Sequence, residues 1–168
     1  ENLTTTEAIL AATLAHGQRI GNEALPVTIA ITNLYAHRTQ TVYYTSTRRW
    51  DTGLKMFLAD LAILTEPGGP FESLKVMVHL DHIQHDLDQE LLVWDMGQFS
   101  SIMFDASTIP FEDNIAATAR FIEQQGSNIV IEGACDEIVD ATGDEISQLT
   151  TPEKAERFFS RTGVDMAV

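Results

Sequence analysis

The stretch Lys75-Val76-Met77-Val78-His79-Leu80-Asp81-His82 joins a mostly apolar run to a polar end. A short run of this kind is typical of a β-strand that is covered on both faces of a parallel sheet. An aspartate and a histidine then stand where the strand would end. Because parallel-sheet proteins bind their ligands at the carboxyl ends of the strands, the stretch predicts a buried strand with a functional site beside it.

Other parts of the chain repeat this pattern of a short run that is rich in apolar and β-branched residues. The further predicted strands are Pro26 to Thr32, Ser101 to Phe104, Asn128 to Ile131, and a last one that begins at Asp165. Between them, apolar residues recur at spacings of three and four in Leu54 to Leu61 and in Phe111 to Ile122, which predicts helices. The chain therefore alternates strands with helices.

Capping signals place the ends of further helices. The spacing of Thr4-Thr5-Thr6-Glu7 is that of a capping box, and it predicts a helix at the start of the chain. Thr151 before Pro152 is typical of a helix start, and Gly126 and Gly163 stand where helices are predicted to end.

This alternation implies parallel strands that are joined by right-handed crossovers. Two architectures satisfy it. A five-stranded doubly wound sheet fits a chain of 168 residues, whereas a complete eight-stranded (β/α) barrel typically needs ~250 residues. With 44% hydrophobic residues the chain can bury a sizeable core, and residues 1–168 are predicted to form a single domain.

Charge and cysteine content limit the possible partners and compartments. The formal net charge of −15 repels nucleic acid and anionic lipid, so neither is an expected partner. The single cysteine, Cys135, cannot form an internal disulfide, and no apolar run is long enough to span a bilayer. The cytoplasm is therefore the expected compartment.

The residues that end the predicted strands are the candidates for chemistry. They are Thr32, Asp81 with His82, Asp105 with Ser107, and Glu132. Asp105 could act in a site; it lies too early to be the N-cap of the helix that begins near Pro110, for which Ser107 or Thr108 is better placed. Glu132 ends a buried strand, so it needs a partner, and a ligand role and a buried ion pair are both open.

Histidines are concentrated around the end of the quoted stretch. His79, His82 and His85 lie within seven positions together with Asp81, and imidazole and carboxylate groups are good zinc ligands. Alternation along a strand points His79 and His82 to opposite faces, which argues against a local site of three histidines. We therefore expect His79 to be a core histidine and His85 to be solvated, with the chemistry at Asp81 and His82.

The block His79-Leu80-Asp81-His82 resembles the His-x-Asp-His signature of class II fructose- and tagatose-bisphosphate aldolases. Ser100 to Ser107, followed by Pro110 to Ile115, is similar to the family's next block in the same order. The likeness covers nearly the whole chain from the first helix onward. It favours a TIM (β/α)8 barrel over the doubly wound sheet, with the chain beginning after the first barrel strand and ending within the sixth.

The resemblance implies an activity and roles for individual residues. It implies a metal-dependent lyase of carbohydrate metabolism that cleaves a ketose 1,6-bisphosphate to dihydroxyacetone phosphate and glyceraldehyde 3-phosphate, as in glycolysis. Asp81 would be the catalytic acid at the aldehyde-derived hydroxyl, and His82 a ligand of the catalytic Zn²⁺, which polarises the substrate carbonyl. Thr32 would lie near the sugar phosphate, and Asp105 would match a second metal site. The family commonly forms homo-oligomers.

Two departures from the family pattern keep alternatives open. In Glu132-Gly133-Ala134-Cys135-Asp136 the first glutamate of the family's Glu-x-Glu-Leu-Gly pattern is present, but alanine replaces the second, which is the ligand. The acidic loop that follows is also altered, so a base at Glu145 is only a guess. The remaining zinc-binding histidines are expected beyond Val168, so the chain alone is expected to be inactive. The alternatives are a non-catalytic barrel homologue that binds sugar phosphates or serves as a partner subunit, and a complete doubly wound domain.

Overall fold

A computed structural model describes residues 2–35, 40–125, 128–137 and 150–168. These residues form two compact units, Glu1–Asp81 and His82–Val168. The boundary falls inside one strand, which starts in the first unit and ends in the second. The single domain predicted over residues 1–168 stays a prediction.

The first unit contains two helices and two parallel strands. Its elements are helix α1 (Leu3–Ile20), strand β1 (Pro26–Thr32), a 3-10 helix (Thr41–Tyr43), helix α2 (Trp50–Thr65) and strand β2 (Lys75–Gln84), which crosses the boundary. Strands β1 and β2 are in register from Pro26 opposite Lys75 to Thr32 opposite Asp81. Strand β1 matches its prediction, whereas β2 continues four residues beyond the predicted end at Leu80. The strand continues there through the polar Asp81 and His82 to the buried Ile83.

Helix α1 begins earlier than its predicted capping box. Asn2 is the N-cap: its side chain accepts a hydrogen bond from the backbone N–H of Thr5, and the Thr5 hydroxyl lies within hydrogen-bond distance of the Asn2 N–H. The capping box is therefore present two residues before the predicted position. Asparagine is as good an N-cap as threonine or better, so the earlier start is favoured.

The core of the first unit is built from alternate strand residues and one face of each helix. Its fully buried members include Leu10, Ile29, Ile31, Leu54, Phe57 and Leu80. Gly53 allows α2 to approach the 3-10 helix, because a Cβ at this position would overlap the carbonyl oxygen of Thr41. Any side chain at position 53 would force the two helices apart.

The second unit contains the end of β2 and three further parallel strands. Its elements are a 3-10 helix (Leu91–Val93), strand β3 (Ser101–Asp105), helix α3 (Phe111–Gln125), strand β4 (Val130–Gly133), helix α4 (Pro152–Thr162) and strand β5 (Met166–Ala167). Strand β4 pairs with β3 on one side and with β5 on the other. Strand β4 begins two residues later than predicted. Thr151 and Gly163 cap α4 as predicted, and the predicted cap at Gly126 lies outside the described residues.

The strands that pair within each unit are consecutive in the chain. In the first unit β2 lies beside β1, and in the second β4 lies between β3 and β5. This order is that of a (β/α) barrel, but a doubly wound sheet of order 2-1-3-4-5 contains the same pairs. The comparison with solved structures, given below, decides between the two predicted architectures. Among the described residues, no helix is long and apolar enough to cross a membrane.

Candidate active site at the strand ends

The part of strand β2 that belongs to the first unit ends at Asp81, beside another predicted site residue. Asp81 is the register partner of Thr32, the last residue of β1. Thr32 is buried, with only 1% of its surface exposed, whereas the side chain of Asp81 is 24% exposed. Thr32 also forms an isolated bridge with Gln40. The polar ends of these two strands therefore lie side by side.

His79 lies close to Asp81 on the same strand. Its Nε2 is 3.7 Å from Oδ1 of Asp81, and its side chain is 11% exposed. Residues two apart on a strand project from the same face, which explains the contact. The sequence predicted that His79 is buried but missed its proximity to the carboxylate, although the two-residue spacing contains that signal.

In the second unit, His82, Asp105 and Ser107 form a hydrogen-bonded group. The Nδ1 atom of His82 is 3.1 Å from Oδ2 of Asp105. The other carboxylate oxygen, Oδ1, accepts hydrogen bonds from the Ser107 backbone N–H (2.9 Å) and hydroxyl (2.6 Å). The side chains of His82 and Asp105 are only 6% and 7% exposed. Asp105 is thus committed to His82 and to the turn at Ser107, and it does not cap α3.

The charge state of Asp105 determines which nitrogen of His82 carries a proton. Burial of the carboxyl raises its pKa, but the hydrogen bonds from His82 and Ser107 outweigh this effect, so the pKa of Asp105 lies below its ordinary value. An ionised carboxylate only accepts hydrogen bonds, so Nδ1 of His82 must be the donor. In the neutral imidazole, Nε2 then carries the lone pair. This is the tautomer required of a histidine that binds a metal through Nε2.

The backbone at His82 has an unusual conformation for a strand. Its φ angle is +49°, in the left-handed region that favours glycine. This conformation costs an ordinary residue about 1–2 kcal/mol. The strand-alternation argument, which predicted that His79 and His82 face opposite sides, assumed regular backbone at this point.

Glu132 lies on the strand next to Asp105. It is half-buried on β4, opposite Met103 of β3 and Met166 of β5. Because Asp105 follows Met103 by two residues, Glu132 stands one layer deeper in the sheet than Asp105. Asn114 of α3 fixes the backbone that follows: its side-chain N–H₂ donates to the carbonyl of Ala134 at 2.8 Å and lies 3.4 Å from that of Cys135. No separate role for Asn114 was predicted from the sequence.

Candidate metal ligands are not clustered among the described residues. Within residues 2–35, 40–125, 128–137 and 150–168, no group of three histidine, cysteine, aspartate or glutamate residues is placed to hold a metal ion. The expectation that His79, His82 and His85 form no local site stays a prediction. Glu145 and the altered loop around it lie outside the described residues.

The first unit also contains an open cavity of about 660 Å³. It lies between the first turn of α1 and the side of α2, where the Tyr44 hydroxyl donates a 2.6 Å hydrogen bond to Asp60. Neither Thr32 nor Asp81 lines it. The cavity is therefore separate from the strand-end residues.

Comparison with known proteins begins with a family model. The model described as fructose-bisphosphate aldolase class-II matches residues 1–168. Among curated proteins, a fructose-bisphosphate aldolase of Giardia intestinalis is 34% identical over 99 residues, or 55% of this chain and 29% of that protein. A sulfofructosephosphate aldolase of Alkalicoccus urumqiensis is 36% identical over 101 residues, or 55% of this chain and 34% of that protein. The chain thus aligns with about a third of each relative.

Solved structures show the same fold. The fructose-bisphosphate aldolase of Campylobacter jejuni superimposes with a TM-score of 0.62 at 20% identity, over 94% of this chain and 46% of that one. The YdjI aldolase of Escherichia coli K12 gives a TM-score of 0.55 at 21% identity, over 94% of this chain and 49% of that one. These neighbours are TIM-barrel structures, so the predicted barrel class is confirmed. The chain spans about half of each.

Proposed function

Because this chain belongs to the class II fructose-bisphosphate aldolase family, as its His-x-Asp-His block predicted, we propose that the protein is a metal-dependent ketose-bisphosphate aldolase. It would cleave a ketose 1,6-bisphosphate to dihydroxyacetone phosphate and glyceraldehyde 3-phosphate. Relatives named as aldolases of fructose bisphosphate and of sulfofructose phosphate support a phosphorylated ketose as the substrate class.

The contact between His82 and Asp105 carries this proposal. A buried carboxylate that accepts from Nδ1 of a histidine fixes both the ring orientation and the tautomer, and such pairs recur behind metal-binding histidines. Ser107 holds the same carboxylate through two further hydrogen bonds. A histidine held only for packing does not require an ionised partner of this kind.

The residues present fit one ligand position of a zinc site. His82 would hold the metal through Nε2, and the other ligands would come from residues outside those described. When bound, the metal would act as a Lewis acid on the substrate carbonyl. Asp105, predicted as a ligand of a second metal, would instead orient His82, because both of its oxygens are already engaged. Glu132 stays a candidate metal ligand on β4, and a second metal site is not proposed.

Asp81 and Thr32 would act on the substrate itself. Asp81 directly precedes His82 in the chain. It forms a pair with His79, and its side chain is the more exposed of the two. It would accept the proton of the hydroxyl that becomes the aldehyde during cleavage, and return it during condensation. Thr32, in register with Asp81, would donate a hydrogen bond to the sugar phosphate.

The remaining attributes follow from composition and from the family. A single cysteine and a net charge of −15 support a cytoplasmic protein that binds neither nucleic acid nor membranes. A place in carbohydrate metabolism such as glycolysis, and assembly as a homo-oligomer, are part of the same proposal.

The experiment that tests the proposal is measurement of zinc content and aldol cleavage in the full-length protein, beside a His82→Ala variant. We expect stoichiometric zinc in the wild type, loss of zinc in the variant, and loss of cleavage on chelation. An exposed histidine, His16 on α1, provides a matched control, and His16→Ala should retain both zinc and activity.

Other outcomes would redirect the proposal. A folded full-length protein with no zinc and no cleavage would favour the alternative, a non-catalytic barrel homologue that binds sugar phosphates. The replacement of the second family glutamate by Ala134 gives that alternative its support. Zinc that is retained in His82→Ala would refute the assignment of the ligand.

A further inference from the structure

We propose that His79 is a positioning residue that holds the carboxylate of Asp81 in the orientation needed for proton transfer. The inference rests on the proposed function, in which Asp81 moves a proton on the substrate. It assigns a role to a histidine that the sequence alone treats as part of the core.

The geometry of the pair supports this role. Nε2 of His79 is 3.7 Å from Oδ1 of Asp81. This separation exceeds a direct hydrogen bond, but a small side-chain adjustment or a bridging water would connect the two groups. Such contacts are often long without substrate and shorten when the substrate binds.

His79 and Asp81 differ in how deeply their side chains are buried. The side chain of His79 is 11% exposed, whereas that of Asp81 is 24% exposed. On the neighbouring strand, Ala30 stands opposite His79 and Thr32 opposite Asp81. The imidazole of His79 therefore lies deeper in the sheet. The carboxylate of Asp81 lies one layer above it, at the strand end. A buried ring directly beneath an accessible carboxylate is well placed to set its orientation.

The orientation matters because proton transfer is sensitive to position. A general base must lie within about 2.6–3.2 Å of the proton-bearing atom, and a displacement of about 1 Å can reduce the rate by a factor on the order of 100. Asp81 has only two side-chain torsions, so a partner on one oxygen restricts the orientation of the whole carboxylate. Loss of that partner would leave substrate binding nearly unchanged and slow the chemical step.

Two variants at position 79 separate positioning from packing. His79→Gln keeps a nitrogen donor near the place of Nε2, whereas His79→Leu removes it and keeps an apolar side chain of similar size. His16→Gln, at the exposed histidine on α1, is the control for loss of an imidazole elsewhere in the same unit. Each is prepared as the full-length, zinc-loaded protein, and kcat, KM, zinc content and the midpoint of urea unfolding are measured with fructose 1,6-bisphosphate as substrate.

We expect His79→Leu to lower kcat by about 10- to 100-fold, with KM changed less than about threefold and zinc content unchanged. His79→Gln should recover most of the loss, and His16→Gln should match the wild type. A kcat of His79→Leu equal to that of the wild type would overturn the inference. Equal losses in the Leu and Gln variants that track their unfolding midpoints would also overturn it, since they would indicate packing alone.

Crystal structures of the wild type and of His79→Leu test the inference without relying on activity. A rotated Asp81 carboxylate in the variant supports positioning, and an unchanged one refutes it. If the wild type cleaves no ketose bisphosphate, the proposed function fails, while the position of Asp81 still decides the role of His79.

Discussion

Replacement of Asp105 by asparagine tests the link between the buried carboxylate and the histidine. Asparagine has the same shape, and its carbonyl oxygen can take the place of Oδ1 and keep both hydrogen bonds from Ser107. Its amide nitrogen then takes the place of Oδ2 and faces Nδ1 of His82. Two donors cannot hydrogen-bond each other, so the imidazole is expected to move its proton to Nε2. That tautomer has no lone pair on Nε2 for a metal.

The expected loss in the free energy of unfolding of Asp105→Asn follows from the hydrogen bonds that the substitution changes. Hydrogen bonds to charged groups contribute about 1.5–3 kcal/mol, and those between neutral groups about 0.5–1.5 kcal/mol. Since Asp105→Asn keeps its bonds to Ser107 in neutral form, we expect a loss of about 1–2 kcal/mol in the free energy of unfolding at neutral pH. The affinity for zinc should fall by about 10- to 100-fold, as for other carboxylates behind metal-bound histidines.

The difference in stability between the wild type and Asp105→Asn is expected to depend on pH. The pKa of Asp105 is lowered in the folded protein, so its stabilisation is fully present above the unfolded value of about 3.9. It is lost as the pH falls through the lower, folded value. The difference in stability between wild type and Asp105→Asn should therefore be constant near neutrality and shrink in acid.

The assay is urea unfolding of both proteins between pH 3 and pH 7, with zinc affinity measured by chelator competition. Asp95 offers a matched control, because its carboxylate also accepts from the backbone N–H two residues on, at Gly97, but is exposed. Asp95→Asn should leave stability and zinc affinity nearly unchanged. An Asp105→Asn protein with wild-type zinc affinity would refute the argument from the tautomer.

Two further predictions concern stability, and thermal or urea unfolding measures both. Asn114→Ala leaves the buried carbonyl of Ala134 without its 2.8 Å donor and should destabilise by about 1–3 kcal/mol; an effect below about 0.5 kcal/mol would show that the carbonyl finds another partner. Gly53→Ala places a methyl group against the backbone of Thr41 and should lower the free energy of unfolding by at least about 1–3 kcal/mol, although alanine has the higher helix propensity. A stabilised variant would contradict the observed close approach of α2 to the 3-10 helix.

Much of the fold could be predicted from local patterns. The strand Pro26–Thr32 was predicted to the residue, and α4 has the caps that Thr151 and Gly163 indicate. These signals depend on neighbours within a few positions, which a sequence displays directly. The length of the chain favoured the wrong architecture, the doubly wound sheet. The barrel was indicated only by the His-x-Asp-His block and the block around Asp105, which occur in the family's order.

The details of the candidate site were harder to predict because they depend on contacts between distant residues. The sequence placed His82 and Asp105 at strand ends, but their hydrogen bond joins residues 23 positions apart. Asp105 was expected to match a second metal site, and that prediction included no histidine partner. The extension of β2 past Leu80 was missed because Asp81 and His82 interrupt the apolar run there, although the strand continues to Ile83 and Gln84.

The left-handed backbone at His82 has a consequence for how this protein could be altered in the laboratory. Glycine adopts this conformation without steric cost, so His82→Gly would relieve about 1–2 kcal/mol of backbone strain. It would also leave the buried carboxylate of Asp105 without its partner at Nδ1, which costs about 1.5–3 kcal/mol, and it would empty the volume of the imidazole. Selection of a mutant library for heat resistance alone would therefore keep a hydrogen-bonding side chain at this position in spite of its strained backbone.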